Sequence, residues 1–171
     1  MTTARPVTPM LVAAAVAAGV MVAVVGWTSL RRHRRSAWVA EAPVMLQAIA
    51  GAEHIALASR LAHLGCPGGD YPRAVPDPNA VPWSAPGHSG EACWRTLSVS
   101  PAGPVRFVYQ VAAGGPTDPV PTPPKSGLTM PTPTGPWFVA MASADLDGDG
   151  IRSSWWLTSF SPGVGSVDPE E

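Results

Sequence analysis

The chain has 171 residues, a net charge of −1 and only 13% charged residues, which suits one domain with a flanking segment and not two full domains. A balance this close to neutral makes no electrostatic case for nucleic-acid binding, and 7 Trp argue against a wholly disordered chain. The 21 Pro and 17 Gly show no three-residue period and describe a small ordered body with proline-broken loops.

Residues 1–9 form an N-terminal flank, and residues 10–30 follow without one ionisable side chain (MLVAAAVAAGVMVAVVGWTSL). A helix of that length covers about 30 Å, the thickness of a bilayer's hydrocarbon layer, and a transmembrane helix is the expectation. The alternative is a cleaved secretory signal, with a shorter apolar core and a small-residue cleavage site. Here the run ends on Trp27, suited to a membrane interface, and then on Arg31, Arg32, Arg34 and Arg35. This basic flank reads as a stop-transfer signal or as a contact for anionic lipid. By charge bias alone it would draw the C-terminal side into the cytoplasm. The cysteine pair and the acidic loop described below favour the opposite orientation. The expected placement is a single-pass inner-membrane protein with its C-terminal domain periplasmic or extracellular.

Residues 31–64 read as an amphipathic helix. Trp38, Ala42, Met45, Ile49, Ala52, Ala56, Ser59 and His63 recur at spacings of three and four. Pro43 should kink this helix or start a new one near Glu41, and Gly65 marks its stop. Residues 65–92 carry no period and read as a long loop. Its margins hold the only two cysteines, Cys66 and Cys93, which are too few for a metal site. In an oxidising compartment they are expected to pair, and the alternative is two unrelated buried thiols.

Four strands are expected over residues 93–100, 105–111, 137–144 and 154–161, the first two as a hairpin across PAGP. Residues 112–135 read as an exposed Pro/Thr/Gly loop. The β-rich head thus runs over 65–161, with a frayed acidic tail over 162–171.

The sharpest local motif is DLDGDG at 145–150. Carboxylates at loop positions one, three and five with Gly at six open a calcium loop, because the turn at Gly150 aims Asp145, Asp147 and Asp149 at one hard cation. Continuing the count, Ile151 offers a carbonyl and Ser153 a hydroxyl or a bridging water. Position twelve is Trp156, where a full EF-hand has Glu, so any affinity should be weak, roughly 10⁻⁴–10⁻³ M. The alternative is an ordinary Asp/Gly turn without metal. His33, His54, His63 and His88 are scattered, and Glu41 and Glu53 lie twelve residues apart on one helix. All of these read as solvated surface positions. No GxSxG, HExxH or GxxxxGK[ST] motif occurs, so neither an enzyme nor a small-molecule substrate is expected.

Two stretches carry a resemblance. RSAWVAEAPVMLQAIAGAE at 35–53 and FVAMASADLDGDGIRS at 138–153, together with RFVY at 106–109, are similar to pilin-like proteins with an EAP motif after the membrane segment and a DLDGDG motif near the end. The chain thus resembles type IV pilins and pseudopilins over roughly residues 10–160. That resemblance implies an α+β fold, a long kinked N-terminal helix, part membrane and part amphipathic, packed on a small antiparallel sheet. It also implies a structural subunit of a cell-envelope assembly, of the type IV pilus or type II secretion type, that meets its partner subunits through the N-terminal helix. Neither Gly19 nor Gly26 is followed by the aromatic residue and the glutamate of a pilin leader, so no leader cleavage is expected. The alternative function is a membrane-tethered, calcium-stabilised binding module that does not polymerise.

Overall fold

The computed structural model describes residues 9–74 and 78–169, and the side chains of all of these except residues 9–15, 17, 28 and 31–35. The chain divides into two compact units, Met1–Ala37 and Trp38–Glu171. In chain order the elements are α1 (Pro9–Val39), α2 (Glu41–Arg60), β1 (Cys66–Tyr71), α3 (Glu91–Leu97), β2 (Val108–Gly114), β3 (Trp137–Ala144), β4 (Ser153–Thr158) and β5 (Ser161–Val167).

The expected fold class needs correction. The head is mostly sheet, five antiparallel strands in the sequential order β1-β2-β3-β4-β5. The long helix expected to lie on that sheet is replaced by the 20-residue α2. Among the described residues no helix is long and apolar enough to cross a membrane, which overturns the single-pass inner-membrane placement. The side chains of residues 10–15 and of Arg31, Arg32, Arg34 and Arg35 lie outside the described residues.

Helix α2 begins afresh at Glu41. Pro43 falls in its first turn, where backbone N–H groups have no intrahelical acceptor and a proline removes nothing. It ends at Arg60, with Leu61 in the left-handed conformation (φ 58°) closing the last turn through an N–H to the Leu57 carbonyl. Its buried face is Ala42, Met45, Leu46, Ile49, Ala50, Glu53 and Ala56, the 3.6-residue stripe of an amphipathic helix. This face packs on β3 and β4. Complete burial of Leu46 and Ile49 contributes about 1.5–3 kcal/mol each.

The sheet meets α2 through Val111, Phe138, Ala140, Ala142, Trp155 and Leu157, alternate residues of their strands. On the opposite face Val108, Gln110, Met141, Ser143 and Ser154 line a cleft of about 210 Å³, whose other wall is Pro123, Pro124 and Lys125. The connection from 115 to 136 is tied back to the sheet. The Trp137 indole donates to the Gly115 carbonyl at 2.8 Å, and Pro123 is fully buried. Two tryptophans on this face lie over glycines of the neighbouring strand. A Cβ on Gly114 would meet the Trp137 ring at 2.6 Å, and one on Gly165 would meet Trp156 at 2.3 Å. The glycines open room for these rings, which cover otherwise bare backbone.

Three expected elements differ. Of residues 93–100, read as a strand, 93–97 belong instead to α3, where Trp94 and Leu97 are buried at a spacing of three, and 98–100 follow its end. In so short a run an alternating pattern and a helical one overlap. Residues 162–167 of the expected tail belong instead to β5, paired with β4. The 65–92 loop contains β1, whose CPGGDY sequence has neither alternation nor β-branched residues to announce a strand.

The junction between α2 and the sheet is held by one carboxylate. Glu41 accepts N–H bonds from Arg106 at 3.0 and 3.1 Å and from Phe107 at 3.2 Å, and the Tyr109 hydroxyl at 2.9 Å. Replacing Glu41 by Ala leaves these donors without their acceptor, and about 2–4 kcal/mol of stability should be lost. Glu41→Gln keeps one acceptor oxygen and should lose less, and Tyr109→Phe only about 1 kcal/mol. Chemical denaturation of the full chain measures all three; an unchanged midpoint for Glu41→Ala would show the contact to be incidental.

Candidate functional site

The β3–β4 register brings Ala144 opposite Ser153, so the residues between them form the tip of a hairpin. The three aspartates of DLDGDG meet there. Asp145, Asp147 and Asp149 each place a carboxylate oxygen within 4.8 Å of the others. The loop arranges them through its own backbone. Asp145 accepts N–H bonds from Gly148 at 2.7 Å and Gly150 at 3.0 Å, one on each oxygen. Asp147 accepts from Asp149 at 3.3 Å, and Asp149 from Ile151 at 2.7 Å. Gly148 (φ 82°) and Gly150 (φ 89°) adopt backbone conformations that a side chain would strain. Leu146 points the other way and is buried in the core, which anchors the loop.

The remaining two expected ligands are placed differently. Ile151 follows the trio on the exposed side. Ser153 is fully buried in β4, and its hydroxyl donates to the Ala144 carbonyl at 3.1 Å. That bond closes the base of the hairpin. The trio supplies hard, anionic oxygens of the kind calcium takes.

Cys66 and Cys93 form a disulfide with Cα atoms 5.5 Å apart, joining β1 to α3. Beside it runs an aromatic chain. Tyr71 stacks on Trp94 (ring centroids 5.5 Å), Trp83 meets Trp94 edge-on at 5.2 Å, and Trp83 in turn meets Tyr109 at 5.7 Å. His88 packs edge-on against Tyr71 and accepts the Gly90 N–H at 3.0 Å. Burial, with the Glu41 charge beside it, pushes the Tyr109 phenol far up, so its hydroxyl stays protonated.

Not every residue expected on a solvated surface is there. Glu53 is 0% exposed, and the His63 side chain only 2%. The Glu53 carboxylate accepts the Leu64 N–H at 2.7 Å, while His63 lies edge-on against Phe138 with ring centroids 5.0 Å apart. Burial pushes the Glu53 carboxyl up to about 7, against the opposing pull of the Leu64 N–H. Burial also lowers the His63 imidazole. The signal was present in the sequence: Glu53 stands four residues after Ile49, on the apolar stripe itself.

No protein-family model, curated protein or solved structure matches this chain.

Asp145 has a backbone role whether or not a cation is bound. Asp145→Ala should therefore lower stability by about 0.5–1.5 kcal/mol even in chelator, because two loop N–H groups lose their acceptor to water. Thermal unfolding of the full chain in chelator checks this, and an unaltered Tm would mean the turn holds without those bonds.

Proposed function

We propose that the head is a non-catalytic binding module whose β3–β4 loop is stabilised by calcium. The observation that carries this reading is the convergence of Asp145, Asp147 and Asp149 at the hairpin tip. Three carboxylates within one loop repel one another, and a divalent cation converts that repulsion into coordination. The disulfide fits an oxidising environment, where calcium-stabilised modules are common. The imidazoles support a non-catalytic reading, since His54, His63 and His88 are each engaged with an aromatic ring.

Millimolar calcium acting on a weak site should add roughly 0.5–1.5 kcal/mol, raising the Tm of the full chain by a few degrees over its value in chelator. Magnesium should add less, because it holds its waters and asks for a tighter octahedron. Asp147→Asn should shrink the calcium effect and scarcely change the Tm in chelator. Superimposable melting curves in calcium and chelator would reduce DLDGDG to a plain turn.

A second reading, a pilin-like structural subunit of a cell-envelope assembly, is favoured by α1. Val16 is 61% exposed and Trp27 59%, with Val20 and Val24 also exposed, and apolar side chains in such a row are ones that a partner subunit would cover. A photo-crosslinking residue at Val20 should then give discrete adducts in cells, with like or unlike subunits. Only uncrosslinked monomer after illumination would sink this reading and leave the binding module standing.

A further inference from the structure

We propose that Glu53 and His63 close together as an uncharged pair, carboxylic acid beside neutral imidazole, forming a lock on the α2–β1 connection in which the two groups' responses to mild acidity oppose each other. The enclosure is the first ground. Both side chains are withdrawn from water, and the connection they hold, residues 61–65, leads directly into Cys66 of the disulfide. The second ground is the hydrogen-bond geometry. His63 Nδ1 lies 3.1 Å from the Glu53 backbone carbonyl and 3.4 Å from its carboxylate Oε2. The carbonyl is the nearer acceptor, as for a neutral ring donating its one N–H there. Oε2 is already occupied by the Leu64 N–H at 2.7 Å. The third ground is Glu53 Oε1, which is buried without a hydrogen-bond partner. A charge spread onto that oxygen would stand uncompensated, whereas a protonated carboxyl avoids it.

Among the described residues, no ion pair other than the one with His63 reaches Glu53. His63 is the ionisable partner of Glu53 among the described residues, contributed by the connection itself. From α2, His54 stands behind His63, with ring centroids 6.4 Å apart. From β3, Phe138 faces both imidazoles.

The proton count gives the consequence. Glu53 is raised from 4.5 to about 7 in the closed form, so on its own it favours opening as pH rises through that interval. His63 is lowered from 6.5, so on its own it favours opening as pH falls below 6.5. Between those limits the opened connection carries a carboxylate and an imidazolium. On closing, the imidazolium's proton is given up and the carboxylate takes one on. The two exchanges run in opposite directions, so closure depends on pH less than it would through either group alone.

The test is the hydrogen-exchange protection factor of the Leu64 amide in the full chain, followed by NMR from about pH 5 to about pH 6.5. Wild type should vary less with pH than either variant. In Glu53→Gln only the imidazole titrates, and protection should rise with pH, by up to about tenfold per unit. In His63→Gln only the carboxyl titrates, and protection should fall with pH by up to the same factor. Slopes of opposite sign establish the lock; variants that both keep the wild-type profile overturn it. A measurement on wild type alone guards against a variant that does not fold. The Glu53 side-chain carboxyl carbon at about pH 6 should resonate as a protonated acid, and a carboxylate resonance there overturns the proposal.

Discussion

The head depends on one carboxylate at the start of a helix. Where residues 106–109 enter β2, the backbone N–H groups of Arg106 and Phe107 point toward α2, where they need an acceptor. Glu41 supplies it with both oxygens and takes the Tyr109 hydroxyl as well. The same carboxylate sits in the first turn of α2, where unsatisfied N–H groups make the helix end positive and favour a negative charge. Pro43 fits that turn because it has no N–H to leave unpaired. Local helix chemistry and the position of the sheet are thus set by the same residue. Just outside this contact, the Arg106 guanidinium lies 4.5 Å above the Trp38 ring, a cation–π contact that orients the side chain of the residue whose backbone N–H Glu41 accepts.

A second set of constraints organises residues 65–100, which are too rich in Pro and Gly to build regular structure unaided. Here a covalent bond and a run of aromatic rings replace periodicity. The disulfide fixes β1 against α3, and Tyr71, Trp83 and Trp94 pack mutually and reach Tyr109 of β2. Tyr109 belongs to both systems. Its ring extends the aromatic chain and its hydroxyl binds Glu41, so the loop region and the helix junction share one side chain. Arg73 adds a polar tie, donating to the carbonyls of Asn79 and Arg106, each at 2.8 Å.

What could be read from the sequence followed from features of local chemistry. The apolar stripe of α2, the extent of β3, the cysteine pair and the acidic turn all declare themselves through spacing or residue type. Elements whose stability comes from their neighbours did not. β1 and β5 are CPGGDY and SPGVGSV, strands because an adjacent strand offers a ladder and, in β5, because Gly165 makes room for Trp156. The alternation of Cys93, Arg95, Leu97 and Val99 suggested a strand, yet burial of Trp94 in the aromatic chain selects a helix. Glu41 and Glu53 were both legible as acids on a helix. Their roles were not, because a sequence does not say which donors from residues 64 and 106–109 will arrive beside them.

The acidic loop shows how such a site can exist before any ligand enters it. Three negative charges in five residues would push the hairpin tip open if nothing opposed them. Four backbone N–H groups, those of Gly148, Asp149, Gly150 and Ile151, turn inward and donate to the carboxylates. Below the tip, Ser153 bonds across to Ala144 and Leu146 is buried, so the hairpin base is closed independently of the charges above it. The backbone thus does part of the work of a counter-ion, and its N–H donors compete with a cation for the same oxygens. On the calcium reading proposed above, a loop held by its own backbone in this way would bind the cation weakly. The missing acidic residue at Trp156 pushes in the same direction, since that position is committed to covering Gly165 and cannot also supply a ligand.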